Sequence, residues 1–96
     1  MFQEPYSNKF TIYSKSGCPY CVKAKDYLKS KNVLFEIINC DEYLFDHKQE
    51  FLEFISEKAK KECKTFPIIF DGKKYIGGFN ETKLHLETVL DFGMDF

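Results

Sequence analysis

Cys18 and Cys21 stand two residues apart in the run Ser16-Gly17-Cys18-Pro19-Tyr20-Cys21. A thiol pair at that spacing can close a reversible disulfide, exchange with another disulfide, or give two ligands to a metal. The other donors are Cys40, Cys63, His47 and His85, which hold no second Cys-x-x-Cys and no pair of closely spaced histidines to complete a tetrahedral zinc site. No metal is expected. Four cysteines in 96 residues also fall short of the density of disulfide-stapled secreted domains. The start, Met1-Phe2-Gln3-Glu4, lacks the basic stretch and apolar run of a secretory signal, and no apolar stretch approaches the ~20 residues of a membrane span. The expected setting is cytoplasmic and reducing, where such a pair reads as redox-active.

Thiol exchange needs a thiolate, and a free cysteine, with a pKa of about 8.5, is mostly protonated at neutral pH. The elements around the pair must therefore lower it. Residues 9–14, Lys-Phe-Thr-Ile-Tyr-Ser, read as a strand that Ser16-Gly17 breaks. From Pro19 to about Lys31 helix formers dominate, with Tyr20, Ala24, Tyr27 and Leu28 at helical spacing and Pro19 suited to the first helical position. Cys18 then falls at the helix entrance, where unpaired N–H groups and the positive dipole end favour a thiolate, and Cys21 one turn inside. This makes Cys18 the nucleophile and Cys21 the resolving thiol. Lys15, at the strand end, is placed to bring an ammonium toward that thiolate or toward an incoming carboxylate.

Beyond this unit, Val33–Ile38 is a near-continuous apolar run expected as a strand covered on both faces and parallel to the first. Asp46-His47-Lys48-Gln49 resembles a capping box opening a second helix through about Glu62, with Phe51, Leu52, Ile55 and Ala59 inward. Phe66–Phe70, the turn Asp71-Gly72 and Lys73–Ile76 carry the strongest hairpin signal. Gly77-Gly78 ends it, and Asn80 is expected to cap a last helix through about Asp91 that turns Leu86, Val89 and Leu90 inward. The order β-α-β-α-β-β-α predicts one α/β domain over residues 1–96, a mixed four-stranded sheet with three main helices. A Cys-x-x-Cys after the first strand of a βαβ unit is the thioredoxin-like redox placement.

Tyr13-Ser14-Lys15-Ser16-Gly17-Cys18-Pro19-Tyr20-Cys21, then Thr65-Phe66-Pro67, then Tyr75-Ile76-Gly77-Gly78-Phe79-Asn80-Glu81 resemble the dithiol glutaredoxin family over almost the whole chain. The resemblance implies a thioredoxin-like fold and glutathione as co-substrate. Its substrates would be protein disulfides or glutathione mixed disulfides, with ribonucleotide reductase among the partners it suggests. It implies a redox-active disulfide between Cys18 and Cys21. It also implies a glutathione site drawn from Lys15, Tyr20, Thr65, Phe66, Pro67, Gly78, Asn80 and Glu81. Pro67 matches the family's cis-proline, which frees the Phe66 backbone to pair with the tripeptide like an added strand. Gly77-Gly78 lets the chain approach the ligand, and N–H groups near Asn80 and Glu81 suit its γ-glutamyl carboxylate. The chain departs from the family where Thr-Val-Pro becomes Thr65-Phe66-Pro67, and where Asn80 follows the glycine pair by two. The Arg or Gln that many members place on the second helix for the glycine carboxylate falls here near Phe54. Two alternatives accompany this reading. One is a dimer holding a glutathione-ligated [2Fe-2S] cluster, which Pro19 disfavours; the other is a thioredoxin-like donor reduced directly by a reductase.

Composition narrows the partners. With 11 Phe and 6 Tyr the chain can bury enough apolar surface to fold as one small domain, and a monomer is expected. Its 14 basic residues, all Lys, are balanced by 15 acidic ones, so neither the cationic surplus nor the arginine fork of a nucleic-acid binder is present. Cys40 reads as a small semi-buried hydrophobe. Lys60, Lys61 and Lys64 would favour a thiolate at Cys63 and the nearby helix end would oppose it, so Cys63 is expected to be inert. His47 and His85 fit exposed helical positions.

Overall fold

A computed structural model describes the backbone of residues 2–94 and the side chains of residues 2–88. The alternation Phe10-Thr11-Ile12-Tyr13 forms β1 (Phe10–Ser14), an inner strand of the sheet from which the other elements are placed. Helix α1 (Pro19–Ser30) carries the chain across the sheet, so β2 (Phe35–Asn39) returns parallel to β1 with Phe10 opposite Phe35 and Ser14 opposite Asn39. Two helices, α2 (Asp41–Asp46) and α3 (Lys48–Ala59), precede the hairpin of β3 (Ile68–Asp71) and β4 (Lys74–Gly77). β3 runs antiparallel to β1, giving the sheet order β2-β1-β3-β4, and α4 (Phe79–Met94) follows.

Because successive side chains of a strand point to opposite faces, β1 feeds two cores. Phe10 and Ile12 join Ala24 and Leu28 of α1, Ile69 and Leu86 of α4 on one face. Tyr13 joins Ile38, Phe51, Ile55, Ile68 and Phe70 on the other. The segment before β1 closes this second core: the Phe2 ring lies 5.0 Å from Tyr43, 5.4 Å from Phe51 and 5.4 Å from Phe54, and the Tyr13 hydroxyl donates to the Gln3 carbonyl at 2.6 Å.

Five expectations are corrected. β2 is not covered on both faces: it is an edge strand, only Ile38 is fully buried, and Ile37 is 43% exposed. The second helical stretch begins earlier and is broken. α2 starts at Asp41 and stops at Asp46, and His47, at φ −143° and ψ 47°, is the cap of α3 without a side-chain cap bond, so no capping box forms there. α3 ends at Ala59, three residues before Glu62, because Lys60 adopts the left-handed conformation at φ 57° and closes the helix. α4 begins at Phe79, so Gly78 rather than Asn80 stands at its cap, and Asn80 lies within the first turn. Leu86 is in the core as expected, while the side chains of Val89 and Leu90 fall outside the described ones. His85 is not simply exposed: it is partly buried, with Nε2 at 3.0 Å from an Asp71 carboxylate oxygen.

Candidate active site

The start of α1 carries the cysteine pair. Cys18 has extended backbone (φ −115°, ψ 99°) and occupies the N-cap, with Pro19 following at the first helical position. Its Sγ accepts the Cys21 N–H at 3.2 Å, and its carbonyl accepts the first helical bond from Val22 at 3.3 Å. Sulfur here does what a Ser or Asp oxygen does at an ordinary cap, so charge developing on it faces the positive end of the helix. Cys18 and Cys21 are joined as a disulfide with Cα atoms 5.3 Å apart, and the remaining surface of the pair is small: 9% for Cys18 and 4% for Cys21. The Cys18 sulfur lies 3.5 Å from the Phe66 carbonyl oxygen, across the cis Phe66–Pro67 peptide.

Seven of the eight residues expected to hold glutathione share one groove of about 360 Å³: Tyr20, Thr65, Phe66, Pro67, Gly78, Asn80 and Glu81. Tyr20 is half-exposed, its ring 6.3 Å from Phe79 and beneath the Lys23 ammonium at 4.9 Å. The glycine pair keeps the far wall low. Gly77 has φ +137°, and a Cβ there would fall 2.7 Å from the Glu81 side chain. A Cβ on Gly78 would crowd Glu81 Oε1 at 3.3 Å. Glu81 reaches back to accept the Gly78 N–H at 2.8 Å, the reciprocal half of a capping box. The first main-chain bond of α4 runs from Thr82 N–H to the Gly78 carbonyl, which leaves the N–H groups of Phe79, Asn80 and Glu81 as the earlier donors of that helix end.

The eighth residue, Lys15, lines a separate cleft of about 270 Å³ with Gly17, Cys18, Cys21, Val22, Lys25 and Ile37. Its ammonium lies 5.5 Å from the centre of the Phe66 ring, whose other neighbour is Phe51 in a stacked arrangement at 6.4 Å. The departure from the family at Phe66 thus has a visible use: the ring gives Lys15 a seat that a valine would not. The cysteine pair lines this cleft rather than the groove, and it reaches the groove's edge through Cys18 Sγ, 3.5 Å from the carbonyl oxygen of Phe66.

Residues not anticipated from the sequence also line the groove, among them Lys61, Glu62, Tyr75 and Phe79. The turn that brings Lys61 there depends on Lys60 adopting a left-handed conformation, for which a lysine gives no signal. Phe54, where the family's cationic or amide residue would fall, packs into the core against Phe2 and Phe51. A larger, shallower groove of about 890 Å³ runs along α3 past Leu52, Ser56 and Cys63 and shares Lys61 and Glu62 with the first, but it holds none of Tyr20, Phe66 and Pro67, the residues that border the cysteine pair.

Cys40 is fully buried, and burial pushes its thiol up to about 12. Burial also pushes the Cys63 thiol up, against smaller opposing effects from the Tyr75 hydroxyl and Lys61, and Cys63 Sγ points to the Lys61 carbonyl at 3.4 Å. The Tyr75 hydroxyl is pushed up to about 12, by burial first and by Cys63 second. Among the described residues no group of three or more His, Cys, Asp or Glu is placed to hold a metal ion, and no helix is long and apolar enough to cross a membrane.

A four-stranded mixed sheet, flanking helices and a Cys-x-x-Cys disulfide at the first helix start define a thioredoxin-like domain. A family model described as glutaredoxin matches residues 10–76. Glutaredoxin 1 of Rickettsia felis is 37% identical over 67 residues, 70% of this chain, and the chain spans only 61% of that relative's length. Glutaredoxin 1 of Escherichia coli K12 is 33% identical over 82 residues, which cover 83% of this chain and 94% of that protein. Among solved structures, glutaredoxin 1 from Francisella tularensis complexed with cacodylate superposes with a TM-score of 0.74 at 34% identity, covering 86% of this chain and 96% of that one. The chain belongs to the glutaredoxin family.

Proposed function

We propose that the protein is a glutathione-dependent thiol–disulfide oxidoreductase that acts in the cytoplasm on glutathione-capped and disulfide-bonded proteins. The observation that carries this reading is the Cys18–Cys21 disulfide capping α1 beside a groove walled by Thr65, Phe66, Pro67 and the Gly78–Glu81 turn.

In the dithiol form, the Cys18 thiolate attacks a glutathione-capped protein cysteine. One S–S bond breaks, the protein leaves as a thiol after taking up a proton, and Cys18 holds glutathione as a mixed disulfide. A second glutathione thiolate attacks that disulfide, releases oxidised glutathione and restores the Cys18 thiolate. With a protein disulfide, Cys18 forms a mixed disulfide with the protein. Cys21 then attacks Cys18, which frees the protein thiol and leaves the Cys18–Cys21 disulfide, and two glutathiones reduce it in turn. The helix start stabilises the negative sulfur in each step.

Glutathione lies in the 360 Å³ groove in this reading, with its peptide backbone along Phe66 and its γ-glutamyl end toward the start of α4. Lys61 is the cation within that groove for the glycine carboxylate, in place of the residue missing at Phe54. The test is a coupled assay with glutathione, glutathione reductase and a small mixed disulfide. Turnover that depends on glutathione supports the reading, and turnover driven by thioredoxin reductase alone contradicts it.

A further inference from the structure

The loop that delivers Cys18 is held from outside its own unit by Asp41, the first residue of α2. Asp41 Oδ1 accepts the Ser16 backbone N–H at 2.9 Å, and its other oxygen accepts the Ser16 hydroxyl. Asp41 is itself fixed, since its N–H donates to Asn39 Oδ1 at 2.8 Å and the preceding Cys40 N–H donates to the Ser14 carbonyl at 2.8 Å. Both bonds to the carboxylate therefore end on a rigid strand junction. They grip the residue between Lys15 and Gly17, where the chain passes through φ +69° and turns into the Cys18 cap.

We propose that Asp41 is a positioning residue for Cys18. Its two hydrogen bonds fix the Ser16–Gly17 turn so that sulfur meets the start of α1, and its charge offsets that of Lys15. Through that offset Asp41 keeps the Cys18 thiol less acidic than the helix start and Lys15 alone would make it.

Physical chemistry supports both halves. A carboxylate accepting two hydrogen bonds is a stronger tether than a neutral turn contact. The Ser16 hydroxyl and N–H first, then Asn39 and last Lys15, hold the Asp41 carboxyl below the usual carboxylate range against a small opposing effect of burial, so the charge is present at neutral pH. The charged and titratable groups around the cysteine pair are Lys15 and Lys25 in the cleft, Tyr20 on α1 with Lys23 over its ring, Asp41 on α2, and Lys61, Glu62, Tyr75 and Glu81 around the groove. All but Asp41 persist when Asp41 alone is changed, so a difference between variants isolates it.

The inference rests on Cys18 being the nucleophile, and the experiment separates the two ideas. The pH dependence of iodoacetamide alkylation is measured on the reduced full chain, with the labelled cysteine identified by peptide mass. Asp41→Asn keeps polar partners for Ser16 and removes the charge. Its Cys18 midpoint is expected at lower pH, with alkylation below the midpoint faster by at least about twofold, the factor that a shift of about 0.3 pKa units gives. Asp41→Ala removes clamp and charge together, and its glutathione-linked turnover is expected to fall below that of Asp41→Asn. Should Asp41→Ala not fold, Ser16→Ala removes one clamp bond and is expected to turn over more slowly than the parent. An Asp41→Asn profile that superimposes on the parent's or moves to higher pH overturns the proposal. So does a clamp variant with undiminished turnover. A parent chain in which some other cysteine labels fastest contradicts the nucleophile assignment itself, and with it both readings.

Discussion

At the scale of single residues, four cysteines of one short chain are given different chemistries by their surroundings. Cys18 caps a helix, Cys21 lies one turn inside it, Cys40 is sealed in the aromatic core, and Cys63 is buried beside Tyr75. Since a raised thiol pKa keeps the neutral, unreactive form, reduced native protein treated with iodoacetamide at pH 8 should label at Cys18 and leave Cys40 and Cys63 unmodified until denaturant is added. Peptide mapping checks this, and fast labelling of Cys40 in the native protein would contradict it. The cysteine pair was legible from the sequence because its chemistry is local: a strand, a break, a proline and a helix within a dozen residues. The surroundings of Cys63 were only half legible. Its lysine neighbours are adjacent in sequence, but burial and Tyr75 oppose or modify their effect through the folded core.

Elements carry the binding geometry. α4 presents its N-terminal donors to the groove, yet Glu81 already places a carboxylate on the Gly78 N–H at 2.8 Å. In the proposed binding mode, an incoming γ-glutamyl carboxylate would meet that negative charge at the helix end which would otherwise favour it. Glu81→Gln is therefore expected to lower the KM for glutathione by about 2- to 5-fold, the factor that ~0.3–1 kcal/mol at a helix terminus represents. Steady-state kinetics against glutathione concentration measure it, and an unchanged or higher KM would show that Glu81 does not compete. The helix itself was readable from its periodicity, but its cap was not. Asn80 is a good capping residue by type, whereas the closeness of Gly77 and Gly78 to Glu81 exists only once the hairpin is folded. The same reason hid the edge position of β2. An apolar run reads alike whether one face or two are covered, and the strand order that leaves Ile37 open is a long-range fact.

At the scale of the whole molecule, one of the two cores is an aromatic cluster around Phe51, which meets Phe2, Tyr13, Tyr43, Phe54 and Phe66. Phe51→Ala should cost about 3–5 kcal/mol, the range for emptying such a site, and a loss below ~1 kcal/mol in urea unfolding would show that the cluster collapses around the gap. Burial also gives the fold an alkaline limit. The Cys40 thiol is raised from its ordinary 9.0 to about 12, so above about pH 9 the unfolded chain releases a proton that the folded one keeps. Its stabilising contribution is complete below pH 9 and is lost as pH rises toward about 12. The melting temperature should fall between pH 8 and pH 10.5, and by less in Cys40→Ala; equal falls in parent and variant would assign the loss to other groups.

The central claim, that Cys18 attacks and Cys21 resolves, is tested most directly by two assays on two variants. Glutathione-cap removal needs only one attacking thiolate, whereas dithiol reduction of a protein disulfide needs a second thiol to release the mixed intermediate. Cys18→Ser is predicted to lose both activities. Cys21→Ser is predicted to keep cap removal, because a second glutathione can resolve the Cys18 mixed disulfide, and to lose most dithiol reduction. Equal loss of cap removal in the two variants, or activity retained in Cys18→Ser, would contradict the account.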